Sequence, residues 1–247
     1  DLSSLVLDLA AWGVGDPAAL SWLDAPPPAA WRTAQELLKG LGALDKKGSV
    51  MPVGKAMARL PLHPRLGRLL LKAADLGFPS LGADLAALLS ERDIIRHSGS
   101  SLTPPPGWLD LSERLQLLQH WRQKKSLTAK ADLPALRAVD RSSQQLRRLT
   151  DKTWEVSGKE TRDVIPRLLL AAFPDRIAKR REDGSGRYVM RSGRGVRLSA
   201  KTTPAESPYI VAPIVDKGAK AEGKVQMAES LTEELIPALE EKFHGAG

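Results

Sequence analysis

The chain has 247 residues, 42% of them hydrophobic, which suits one large globular domain or two to three small ones. It contains no cysteine, which excludes disulfides and thiolate metal sites and makes a reducing cytoplasm the expected location. The formal net charge is +8, and no run approaches the roughly 18 apolar residues that a membrane span requires.

Leu2, Leu5, Val6, Leu9 and Trp12 recur at helical spacing, and Gly13 ends that helix. The pattern is already under way at Asp1, with no initiator Met or signal peptide, so a piece of a longer protein is expected. Asp16 is a candidate N-cap, with Pro17 at the first position of a short helix to Leu23. Pro26, Pro27 and Pro28 lead a third helix to about Leu41, with Trp31, Ala34, Leu37, Leu38 and Leu41 on one face. Residues 43–45 and 49–51, around the turn Lys46-Lys47-Gly48, read as a small two-stranded hairpin. Three helices and a hairpin predict a winged helix over residues 1–60.

Gly54 to Leu60 begins a further helix, and Pro61 stops it because proline has no N–H to donate. Pro64 suits the first turn of the next helix, with His63 in the capping position. Leu66, Leu69, Leu70, Ala73 and Leu76 form its core face. Arg65, Arg68 and Lys72 form an adjacent stripe, expected to be exposed and either solvated or in contact with phosphate. The prolines thus read as a bent joint between packed helices. Further helices are expected over about 80–91, 110–124, 133–155 and 161–173, giving a helical bundle over residues 61–173. A Pro/Gly-rich loop, residues 96–108, separates the first two.

From Pro174 the pattern changes to short β-branched or alternating runs, "DRIAKRRE", "RYVMRS", "GVRLS" and "YIVAPIVD", punctuated by "DGSG" and "SGRG". Five short strands with a basic face predict an OB-like barrel over residues 174–230. An acidic amphipathic helix, Thr232 to Phe243, is expected in the remaining residues 231–247. The fold class is therefore mostly α with a small β part. Charge follows this division. Residues 1–60 are neutral, 61–161 carry +5, 162–201 carry +7, and 202–247 carry −4. A short segment holding most of the excess points to a polyanion, most often nucleic acid.

The sequence offers no catalytic constellation. A phosphate-cradling loop needs G-x-x-x-x-G-K-[ST]. "GSVMPVGKA", residues 48–56, has one residue too many between the glycines and Ala where the metal-binding hydroxyl belongs. "GRG" at 193–195 reads as a turn. His63, His97, His120 and His244 lack metal-ligand spacing, so no metal site is expected. "PAESPY" is not a nucleophile elbow.

A binding surface remains. Its candidates are Arg176, Lys179, Arg180, Arg181, Arg187, Arg191, Arg194 and Arg197 in the barrel. A second set on the long helix comprises Arg137, Arg141, Arg147 and Arg148, where a charged helix exterior is the equal alternative. Strand alternation lets Arg187 and Arg191 project together, with Tyr188 on the other side. Tyr188 and Tyr209 are the barrel's only aromatics after Phe173, so stacking should be thin and phosphate contact dominant.

The stretches "LVLDLAAWGVGDPAALSWLDAPPPAAWRTAQELLKGLGALD", "GKAMARLPLHPRLGRLLLKAADLG", "AALLSERDI" and "FPDRIAKRR…GRYVMRSGRGVRL" resemble the C-terminal half of a DEAH-box ATP-dependent RNA helicase of the bacterial HrpB type. The resemblance spans about residues 1–215. His63 is more typical of the HrpB branch, where the wider family has Asp or Ser. The resemblance implies a winged helix, a helical "ratchet" domain and an OB-like barrel behind two RecA-like motor domains. ATP and Mg would belong to those motor domains, and no cofactor to this part. Single-stranded RNA or DNA is the implied partner, with the motor domains of the same chain; the alternative is a docking scaffold for a protein adaptor that regulates the motor. The HrpB type carries a further C-terminal region, of which this chain would hold little.

Overall fold

A computed structural model describes residues 1–96, 110–127, 131–149, 164–181, 186–198, 207–216, 222–231 and 235. Helices α1 (Ser3–Ala11), α2 (Pro28–Gly40) and α3 (Pro52–Ala58) enclose a first core of Val6, Leu7, Trp31, Leu38, Leu41 and Met57. Between α1 and α2 the expected helix is one 3-10 turn, Pro17–Ala19, capped by the Asp16 carboxylate on the Ala18 N–H at 2.9 Å. The expected hairpin reduces to a single bridge, Leu44 to Val50. Its turn is closed by Asp45, whose N–H donates to the Ser49 carbonyl and whose carboxylate accepts from the Ser49 N–H. Trp12 does not join this core: one residue beyond α1, it is 79% exposed.

Helices α4 (Pro64–Asp75), α5 (Pro79–Ser90), α6 (Leu111–Arg122), α7 (Leu133–Leu149) and α8 (Val164–Ala172) enclose a second core. Leu69, Leu70, Leu85, Leu118, Leu136, Leu168 and Leu169 are all fully buried in it. Proline sits in the first turn of α2, α3, α4 and α5, where its missing donor costs nothing. All but the first residue of the expected loop over 96–108 and the helical ends over 150–155 and 161–163 lie outside the described residues, as does nearly all of the predicted acidic helix.

Two polar networks tie the bundle. The buried carboxylate of Asp84 on α5 accepts from Arg122 at 2.8 and 2.9 Å, from Arg147 at 3.0 and 3.1 Å, and from the Ser143 hydroxyl. Arg122 also reaches Asp140 at 2.6 Å. Burial alone would lower the Arg122 pKa, but hydrogen bonds to Asp84 and Asp140 raise it instead. Arg114 is buried in a two-pronged pair with Asp93 at 3.0 and 2.6 Å.

Strands β1 (Ile177–Arg180), β2 (Arg187–Met190), β3 (Gly195–Arg197), β4 (Tyr209–Val215) and β5 (Gly223–Ser230) form a closed barrel in the order β1-β2-β3-β5-β4. All neighbours are antiparallel except β3 and β5. Ala178, Tyr188, Val196, Ile210 and Val225 fill its interior. Ile177, Tyr209 and Val211 point outward into the helical core. A register shift between β4 and β5 sends Met227 to the helices and Ala228 into the barrel. The barrel therefore rests on the bundle by β1, β4 and β5, and no described helix covers the outside of β2 and β3.

The proline joint is structural, and its basic stripe is not the exposed one expected. Arg65 is 8% exposed and engages Asp175, just before β1, while Arg68 and Lys72 are half-buried. His63 caps α4 by accepting the Arg65 N–H on Nδ1 at 3.2 Å. Burial first, then the charges of Arg65 and Arg176, lower its pKa, so the ring is neutral at pH 7. With Nδ1 an acceptor, Nε2 carries the proton and faces Asp1 Oδ2 at 3.0 Å and Ser3 Oγ at 3.2 Å. That contact is a hydrogen bond, not an ion pair.

Candidate nucleic-acid interface

Strand register assembles a row of cations. Arg187 on β2 pairs directly with Arg197 on β3, and Arg197 with Lys224 on β5. The Arg181 N–H donates to the Arg187 carbonyl at 2.9 Å and so continues the row past the end of β1. The neighbouring positions Tyr188, Val196 and Val225 point into the barrel, so these four side chains point out. Arg181, Arg197 and Lys224 are exposed and Arg187 is half-buried. Strands lie about 4.8 Å apart, so the row spans roughly 14 Å of the barrel surface.

The other candidates fall around it. Arg194, in the β2–β3 turn, reaches the Asp216 carbonyl at 3.5 Å. Arg191 is exposed, one residue past the end of β2. Lys179 is exposed and lies 5.7 Å from the Tyr209 ring centroid, a cation–π contact. Arg180 pairs with Tyr188 in register and so shares its inward side. Arg176 sits apart, in the joint. It stands 5.8 Å from the Phe173 ring centroid, donates to the Pro213 carbonyl, and has its pKa lowered by burial and by Arg65.

No described barrel aromatic offers a stacking surface. Tyr188 is fully buried and donates to the Ser207 carbonyl at 2.8 Å, and Tyr209 is 3% exposed. Burial pushes the Tyr188 hydroxyl up to about 12, against the charge of Arg180. The thin stacking read from the sequence is thinner still. On α7, Arg137, Arg141 and Arg148 are exposed, while Arg147 is held by Asp84. Arg147 lines an open pocket of about 560 Å³ with Trp121, Arg122, Lys124, Asp140 and Gln144.

Two residues of the interface escaped the sequence reading, Lys224 and Glu222. For Lys224 the signal was available, since Lys-Val-Gln-Met at 224–227 alternates polar and apolar residues. Glu222 Oε1 lies 3.4 Å from Arg187 Nε. Among the described residues no group of three or more His, Asp or Glu side chains is placed to hold a metal ion, and no helix is long and apolar enough to cross a membrane.

Residues 34–62 match the family model "Helicase associated domain (HA2), winged-helix". The chain is 33% identical over 219 residues to the ATP-dependent RNA helicase HrpB of Escherichia coli, covering 88% of this chain and 23% of that protein. It is 33% identical over 100 residues to the probable ATP-dependent RNA helicase DHX34 of Homo sapiens, covering 40% of this chain and 9% of that one. The crystal structure of the E. coli DExH-box NTPase HrpB superposes with a TM-score of 0.70 at 28% identity, over 98% of this chain and 26% of that one. The chain thus spans about a quarter, or less, of the length of these relatives.

Proposed function

We propose, from the chain's membership of the HrpB type of DEAH-box helicases, whose C-terminal region it matches, that it is a non-catalytic accessory module of an ATP-dependent RNA helicase. In this reading it holds and guides single-stranded RNA or DNA while motor domains elsewhere in the same chain hydrolyse ATP. ATP and Mg would belong to those domains. The residues here do not suit them. Gly48 forms the turn of the small bridge at φ +91°, and a Cβ at Gly54 would lie 2.2 Å from the Ala43 carbonyl oxygen. That stretch is a turn and a packed helix, not a glycine-rich loop joining a strand to a helix.

The observation that carries the strand-holding role is the four-cation row across β1, β2, β3 and β5. Single-strand binders combine a basic groove with stacking. Here the aromatics are buried, so phosphate contact supplies the affinity and sequence preference is weak. The strand order, closed by a parallel β3–β5 pair, supports the OB-like reading of the barrel. The three cores support a division into a winged helix at 1–60, a ratchet-type bundle at 61–173 and a barrel at 174–230, with 231–247 as a C-terminal helix and tail. The neutral first unit then serves as a hub toward the motor domains.

The test is fluorescence anisotropy of the chain with short single-stranded RNA. Reversing Arg181 and Arg197 to Glu removes two contacts and adds two repulsions, and should weaken binding about tenfold or more at low salt. Unchanged affinity would remove the barrel face from the strand path and leave Arg141 and Arg148 on α7 as the alternative contacts.

A further inference from the structure

Among the described residues, the cation row contains one anion. Glu222 precedes β5 and is half-buried, and its carboxylate reaches across β3 toward Arg187 on β2. Gly195 on β3 lies beneath this approach. A Cβ there would meet Glu222 Cγ at 3.4 Å, with Glu222 Oε1 and the Arg181 guanidinium both at 3.9 Å. Glu222 thus lies on the bare backbone of β3, between Arg181 and Arg187. It does not satisfy what it faces. The Arg187 Nε is buried and makes no hydrogen bond among the described residues, since the 3.4 Å contact to Glu222 is electrostatic only. Two cations, a donor without an acceptor and an oxyanion at the row's centre are the parts of a phosphate site filled by a side chain.

We propose that the Arg181–Arg187–Arg197–Lys224 row binds the phosphodiester backbone and that Glu222 is its internal competitor, displaced when a strand phosphate arrives. This rests on the barrel reading above and adds a direction to it. Glu222 sets a threshold. An isolated phosphate or a weakly charged ligand gains too little to displace it, whereas a continuous strand that also engages Arg197 and Lys224 gains enough. The carboxylate therefore favours polyanions over small anions.

The test compares the 247-residue chain with Glu222→Gln and Lys224→Ala, by anisotropy on fluorescein-labelled oligouridylate across a KCl series, with thermal melts alongside. Glu222→Gln should tighten binding about threefold to tenfold at low salt and steepen the log–log salt slope by about 0.7 at most, because in the wild type the displaced carboxylate takes back a cation and offsets part of the counterion release. Lys224→Ala should weaken binding and flatten the slope by a similar amount. The melting temperature should hold in both, since the Arg187–Glu222 pair is open to solvent on one side and such pairs add little stability. If the wild type binds but Glu222→Gln binds equally or more weakly, Glu222 is not a competitor and the barrel reading stands alone. If Glu222→Gln lowers the melting temperature and leaves the slope unmoved, the pair is structural and the proposal falls. If neither protein binds at any salt, both readings fall.

Discussion

Arg65 and Asp175 form a two-pronged ion pair, with Nη1 donating to Oδ1 at 2.6 Å and Nη2 to Oδ2 at 2.7 Å. Nη1 also donates to the Ala172 carbonyl at 3.1 Å, and the Arg65 guanidinium stands 5.2 Å from the Phe173 ring centroid. The pair joins the start of α4 to the turn between α8 and β1. It connects the proline joint to the barrel across 110 residues of sequence.

Asp175→Asn leaves the Arg65 charge buried and half-paired. Because Asp175 is itself half-exposed, the cost should lie at the lower end for broken buried pairs, about 3 kcal/mol, read as a shift in the urea midpoint. Burial raises the Asp175 pKa, but the hydrogen bonds and charge of Arg65 outweigh it and hold the carboxyl below 3.8. A depressed carboxylate stabilises the fold above its unfolded pKa, and that contribution is lost as pH falls through the folded value. The wild type should therefore lose stability below about pH 4 faster than the Asn variant.

His63 has the opposite charge type and the same sign of pH dependence. Its pKa lies below 6.5, so the unfolded chain binds more protons between the folded value and 6.5, and stability rises with pH across that window. Protonating Nδ1 removes the acceptor for the Arg65 N–H and with it the α4 cap, worth about 1 kcal/mol. His63→Asn keeps a capping oxygen and cannot titrate. Its urea midpoint should be the same at pH 5.5 and 7.5, whereas that of the wild type should drop at the lower pH.

Gly82 sets how closely α4 and α5 cross. A Cβ at Gly82 would lie 2.3 Å from the Ala73 Cβ, a contact that neither helix can relieve by rotating a side chain. Gly82→Ala improves helix propensity by about 1 kcal/mol, yet the overlap should cost more, for a net loss of about 1–2 kcal/mol. A thermal melt decides the sign. A stabilised variant would mean the helices separate freely.

Tyr188 separates a structural aromatic from a stacking one. Tyr188→Phe removes the hydrogen bond to the Ser207 carbonyl and should cost about 1 kcal/mol of stability. Its affinity for single-stranded RNA should equal that of the wild type. A fall in affinity without a fall in stability would mean the ring reaches the strand.

The helices were legible because leucines repeat at helical spacing and prolines mark their first turns. The barrel was legible as a change of period after Pro174. What the sequence did not carry were partners. Arg65, read as one member of an exposed stripe, meets an aspartate far along the chain, and nothing local to "HPRLGR" announces that. Asp84 was the better clue, a single charge in the apolar run "SLGADLAALLSE", and only the fold brings it Arg122, Arg147 and Ser143. Trp12 fits the helical period yet lies beyond the helix end, where no neighbour covers it. The candidate arginines were found from composition. Their order into a row with Lys224 is a property of strand register, which pairs residues from three strands and which alternation alone cannot supply.

The most direct measurement is the salt dependence of single-stranded RNA binding by the 247-residue chain, without nucleotide. Three to four phosphate contacts along the row predict a log–log slope of about −2 to −3. No binding at low salt, or binding that is indifferent to salt, would contradict the phosphate-guiding account.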